Sequence, residues 1–137
     1  MPEAIRFCVP GNPVPQPRAR ISTRGGFGRA YVPREHPVHA YRLHVALLAK
    51  AAGAKPHDGD VVLSIAAVFA RPKSHAKLKP QPTRPCKSDW DNVGKAVSDA
   101  LQGIAYHDDD QIVEAHVTRR YALPGEVAHT AVVVGGT

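Results

Sequence analysis

Seven of the twelve acidic residues of this 137-residue chain lie in the stretch KSDWDNVGKAVSDALQGIAYHDDDQIVE, residues 87–114, although the whole chain carries a net charge of +6. Carboxylates crowded together repel one another and are driven toward protonation unless a cation or a hydrogen-bond donor intervenes. Oxygen donors of this kind suit Mg2+, which is held by a few carboxylates together with water and substrate phosphate oxygens. Asp89 and Asp91 stand two residues apart in what reads as extended chain before a helix, so their side chains can point the same way, and Asp109 arrives from the turn before the next strand. Lys95, one helical turn beyond Asp91, shares its face and is placed to neutralise charge growing on a phosphate. The chemistry open to such a set is metal-assisted cleavage of a phosphodiester. A bound metal lowers the pKa of an attacking water, clamps the scissile phosphate and stabilises the departing oxygen.

Two simpler accounts compete. Asp89, Asp91 and Gly94 look like the opening of an EF-hand loop, but such a loop needs an oxygen ligand at its fifth position and a bidentate Glu at its twelfth, where this chain has Val93 and Ala100. A calcium loop is rejected on that ground. The other account is a capped helix and a wet turn: Asp91 as N-cap, Lys95 paired with Asp99, and Asp108, Asp109 and Asp110 solvated. It leaves Asp89 without a role and does not explain the basic loops around the acids.

Those loops are conspicuous. Residues 11–34 carry Arg18, Arg20, Arg24, Arg29 and Arg34 and no acid, and include the run RGGFGR, which reads as a basic arm or hairpin. Residues 71–87, RPKSHAKLKPQPTRPCK, hold six basic residues including Lys73, Lys77, Lys79, Arg84 and Lys87, four prolines and no acid, which reads as a loop. A polyanionic partner is expected from this balance.

The elements that must position these residues can be read from periodicity. Strands are expected near 4–9, 61–69, 111–121 and 127–134, and helices near 38–52 and 91–103. In the first helix Val38, Tyr41, Val45, Leu48 and Ala52 form the apolar stripe, with His36, His39 and His44 polar rather than metal-binding. In the second the stripe is Val93, Ala96, Val97, Ala100, Leu101 and Ile104. In the third strand Val113, Ala115 and Val117 are expected inward, and the turn at Pro124–Gly125 suggests that the last two strands form a hairpin. The fold class is α+β, a small mixed sheet with two helices on one face, and the length suits one domain spanning 1–137. Cys8 and Cys86 are 78 residues apart with no C-x-x-C pair, which signals neither a zinc site nor a disulfide. No apolar run is long enough to span a membrane and the first residues lack a signal peptide's pattern, so a cytoplasmic location is expected.

The segments DWDNVGKAVSDAL and AYHDDDQIVE together resemble the RusA family of Holliday-junction resolvases, whose pattern is D-x-D-N-x-x-K, an apolar helix ending in D-A-L, then D-D-x-Q-[IV]-V. The resemblance is close over residues 87–121 and looser elsewhere. It implies a RusA-like fold, with the two Asp of D-x-D at Asp89 and Asp91, the motif Lys at Lys95, and the second Asp of the D-D pair at Asp109. Because the following residue is also acidic here, Asp108, Asp110 and Glu114 stand as reserve ligands. The resemblance further implies a Mg2+-dependent homodimer that makes paired symmetric nicks in four-way DNA junctions during recombination and repair. Alternatives are a DNA-binding module without catalysis, which would not need the Asp and Lys set, and a related Mg2+ nuclease acting on other branched DNA or RNA.

Overall fold

The computed structural model describes residues 4–17, 19–26, 28–85 and 89–137. Arg18, Cys86 and Lys87, singled out above, lie outside them. The main sheet has four strands, β1 (Ile5–Pro10), β4 (Val61–Phe69), β5 (Ile112–Tyr121) and β6 (His129–Gly136), in the order β1-β6-β4-β5. A separate two-stranded ribbon pairs β2 (Arg20–Ser22) with β3 (Arg29–Tyr31), so the basic arm is a hairpin. Helix α1 covers Val38–Ala51 and α2 covers Trp90–Leu101.

The β-branched run VVLSIAAVF becomes the sheet's interior strand because its backbone is paired along both edges, antiparallel to β6 and parallel to β5. Val61, Leu63, Ile65 and Ala67 are buried on the face that the helices cover. On α2 the buried residues are Val93, Ala96, Val97, Ala100 and Leu101, as expected from spacing, whereas Ile104 lies beyond the end of the helix and is half-buried. On α1 they are Val38, Tyr41, Val45 and Ala49, whereas Leu48 is half-buried and Ala52 exposed, because the stripe drifts around the helix at 3.6 residues per turn. The Tyr41 hydroxyl meets the Thr130 hydroxyl at 2.6 Å and ties α1 to β6, and burial raises the Tyr41 pKa.

The expected hairpin between the last two strands does not form. β4 stands between β5 and β6, and the turn after β5 carries the chain past it. With β5 on one side and β6 on the other, both edges of the apolar β4 backbone are paired. Parallel pairing of β4 with β5 instead requires a crossover, and α2 with its flanking loops supplies it. The closing strand runs His129–Gly136, and Val127, expected within it, is 73% exposed in the turn. Val113 is likewise exposed rather than inward: the ladder shifts between Val61 and Val62, which pair with Ile112 and Glu114, so Val113 is the extra residue of a bulge.

Candidate active site

The N-terminal half of α2 lies against β5 over a cavity of about 250 Å3. From the helix, Trp90, Asp91, Gly94, Lys95 and Ser98 line it, and Leu63 and Ile65 of β4 lie beside Ile112, Ala115 and Val117 of β5. The spacing 90, 94, 98 with 91, 95 is one helical face, so Asp91 and Lys95 share a rim as their separation implied. Gly94 permits the close approach: a Cβ there would meet Cγ2 of Val117 at 3.2 Å.

The helix begins one residue earlier than expected, and this changes the geometry of the D-x-D pair. Asp89 is the N-cap, with φ −94° and ψ 153°, and its carbonyl accepts from the Val93 N–H at 3.1 Å. Its side chain makes no capping hydrogen bond. Asp91 is therefore in the first turn rather than at the cap, and its carboxylate accepts from the Asn92 N–H at 3.0 Å. The alternation of extended chain does not relate the two carboxylates; the entry of the chain into the helix does. The helix also stops at Leu101, two residues short of Gly103.

The acidic triplet forms a short 3-10 turn, Asp109–Gln111. Asp108 caps it, accepting from the Asp110 N–H at 3.1 Å, while Oε1 of Gln111 accepts from the N–H groups of His107 at 2.7 Å and Asp108 at 3.0 Å. The amide of Gln111 donates to the carbonyls of His57 at 2.6 Å and Gly59 at 2.9 Å, so this one side chain fixes the turn to the preceding loop. The Asp109 carboxyl is held above its ordinary range, first by a side-chain hydrogen bond with Asp108, then by desolvation and the charges of Asp108 and Asp99, with Lys95 opposing. Asp108 is held below its range, chiefly by the Asp110 N–H. Asp109 thus shares a field with Lys95 and Asp99, and the latter two face each other at 3.9 Å.

Asp91 and Lys95 line the cavity from one face of α2, Asp109 feels the charges of Lys95 and Asp99, Asp89 stands at the start of the helix, and Asp110 is exposed beside Asp109. It does not bring Glu114 there. Ala115 and Val117 line the cavity, so Glu114 points to the helix-free face of the sheet, where it lies 3.6 Å from His116. Asp108 serves as a cap. Among the described residues, no three His, Cys, Asp or Glu side chains form a ready-made metal cage.

Basic residues are sorted by their partners. Arg24, Arg29, Lys73, Lys77, Lys79 and Arg84 are exposed, and Arg20 opens β2. Arg71 instead donates to the Pro82 carbonyl at 2.7 Å and stacks 4.7 Å from the centre of the Tyr121 ring, which His75 meets edge-on. Arg119 donates to the Pro85 carbonyl at 2.7 Å. These two arginines fasten the basic loop to the C-terminal end of β5, a role that charge counting did not reveal. Trp90 was also missed as a site residue; its position between Asp89 and Asp91 was the available signal.

A family model described as Endodeoxyribonuclease RusA matches residues 10–132. The chain is also similar to an uncharacterized protein, YqaN, of Bacillus subtilis strain 168, with 33% identity over 131 residues, covering 88% of this chain and 89% of that relative.

Proposed function

This chain belongs to the RusA endodeoxyribonuclease family, and from that premise we propose that it is a Mg2+-dependent enzyme that resolves four-way DNA junctions by paired nicks. The observation that carries the reading is that Asp91 and Lys95 line one open cavity while Asp109 lies within range of the Lys95 charge, in a chain whose basic loops leave Arg24, Arg29, Lys73, Lys77, Lys79 and Arg84 exposed.

Asp89, Asp91 and Asp109 would hold the metal, with Asp110 in reserve. The fit rests on the donors: all are hard carboxylate oxygens, and the crowding that raises the Asp109 pKa is relieved by a cation. A preformed protein cage is not required, since Mg2+ keeps several waters and takes part of its shell from substrate phosphate. When bound, the ion supplies an activated water and charge neutralisation at the scissile phosphate. Lys95 faces the phosphate from the next turn of the helix and stabilises negative charge that develops there. Asp99, 3.9 Å away, keeps the ammonium oriented. Arg24, Arg29, Lys73, Lys77, Lys79 and Arg84, with Arg20 and with Arg18 and Lys87 outside the described residues, hold the DNA backbone through phosphate contacts.

In this reading residues 1–137 act as one catalytic domain, and two copies pair, because a junction presents two symmetric scissile phosphates. No helix among the described residues is long and apolar enough to cross a membrane, and a cytoplasmic site of action suits a DNA substrate. Purified protein incubated with a synthetic four-way junction, a duplex and a single strand, in Mg2+ or EDTA, tests the proposal. Paired nicks in the junction with Mg2+ alone are expected. Binding without cleavage would leave a DNA-binding module, and equal cutting of all substrates would remove junction selectivity. Sedimentation of monomers only, with and without DNA, would remove the dimer.

A further inference from the structure

Trp90 is the chain's one tryptophan, and its side chain is 64% exposed at the start of α2, between two acidic residues. A large apolar side chain at that exposure contributes little to the core. It forms one wall of the cavity whose floor is Leu63 and Ile65 and whose rim carries Asp91 and Lys95. Apolar walls beside a phosphate-binding rim match a nucleotide, with charge outside and a flat aromatic face within.

We propose that Trp90 stacks on a base flanking the scissile phosphate, received unstacked into this cavity, and thereby selects branched over duplex DNA. The inference rests on the nuclease reading and adds to it a specificity-determining residue. Three features lead to it. The indole is the residue type on which bases stack most readily without regard to sequence. Lys95, one turn further along the same helix face, lines the same cavity and offers a cation to the phosphate of a nucleotide whose base enters it. Finally, a base within a continuous duplex must give up stacking on both sides to reach the cavity, whereas a base at a branch point has already lost part of its stack. The energy of unstacking is thus smaller at a junction, and Trp90 converts that difference into selectivity.

The sole indole makes the test direct. Nick positions are first mapped on a synthetic junction with Mg2+. The same junction is then titrated in EDTA, following Trp90 emission and, separately, the anisotropy of labelled DNA. Quenching of the indole in step with binding is expected, and an abasic site at the flanking nucleotide should abolish the quenching and weaken binding no more than Trp90→Ala does. Trp90→Ala should weaken junction binding about tenfold, with Trp90→Phe recovering most of the loss. Unchanged emission at saturating junction, or quenching indifferent to the abasic site, overturns the stacking. That result beside normal Mg2+-dependent nicking leaves the nuclease reading intact, whereas the absence of nicking by the wild-type protein on any DNA overturns the nuclease reading itself.

Discussion

Gly94 of α2 and Val117 of β5 face each other so closely that a Cβ on the former would come within 3.2 Å of Cγ2 on the latter. Alanine is the better helix former by about 1 kcal/mol, but the β-branched Val117 has little rotamer freedom with which to retreat. Gly94→Ala is therefore expected to change stability by less than about 1 kcal/mol while moving Lys95 relative to Asp109. Cleavage should fall well beyond any shift in melting temperature. Equal, small changes in both would show that the spacing of helix and strand is not used by the site.

Replacing the carboxylates separates cutting from binding. Asp91→Asn removes a negative charge from the first turn of α2, where it is worth about 0.3–1 kcal/mol to the helix, so the fold should persist. Junction cleavage should drop by about 100-fold or more, with binding retained or tightened, since a phosphate then meets less repulsion. Asp89→Asn and Asp109→Asn should behave alike, whereas Glu114→Gln, on the opposite face of the sheet, should cleave almost normally. Gel shifts beside nicking rates decide this, and wild-type cutting by Asp91→Asn would return that residue to a purely structural role.

Lys95 acts late in the reaction in the mechanism proposed. Lys95→Ala should lower the single-turnover rate by about 100- to 1,000-fold with only a modest change in affinity. A loss confined to affinity, with the rate at saturating enzyme unchanged, would make it a binding residue instead.

The basic side chains divide into two groups by geometry. Removing one exposed cation, such as Lys77 or Arg84, should reduce the slope of log affinity against log salt by about one unit. Arg71→Ala should cost stability as well, because its guanidinium joins Pro82 and the Tyr121 ring. Thermal melts of the variants, run beside salt titrations, distinguish the groups.

Acid tests the turn that separates β5 from β6. Arg120 donates to both carboxylate oxygens of Glu126, at 2.6 and 2.8 Å, and together with the Leu123 N–H, which donates at 2.9 Å, it lowers the Glu126 pKa from an ordinary 4.5 to about 2. A carboxylate depressed in this way stabilises the folded state above its unfolded pKa and loses that contribution as pH falls through the folded value. The melting temperature of wild type should thus fall between about pH 5 and 2 more steeply than that of Glu126→Gln. Parallel curves for the two proteins would remove the pair's role.

Much of the helix and strand content was legible because each element carries its own periodicity. The stripe of α2 from Val93 to Leu101 and the apolar run of β4 need no distant partner to be recognised. The likeness to the RusA family was legible for a related reason, since D-x-D-N-x-x-K and D-D-x-Q are local spacings. What failed were inferences about neighbours and single-residue boundaries. Pro124–Gly125 marks a turn truly, yet a turn does not specify which strand the chain joins next. Asp91 resembles an N-cap as well as Asp89 does, and one residue's difference turns a side chain by about 100° around the helix.

The sequence by itself thus determined most of the elements, the clustering of the carboxylates against basic loops, and the family. Tertiary structure alone decided that β4 separates β5 from β6, that a bulge turns Val113 outward, that Glu114 faces away from α2, and that Gln111 binds the carbonyls of His57 and Gly59 more than fifty residues away. It also decided that Arg71 and Arg119 are fasteners while Arg24 and Arg84 remain exposed. The reason is that periodicity encodes which face of an element is apolar, whereas pairing along sheet edges and the burial of individual polar groups depend on which distant segment satisfies a given backbone or charge, and that choice is made by the whole chain at once.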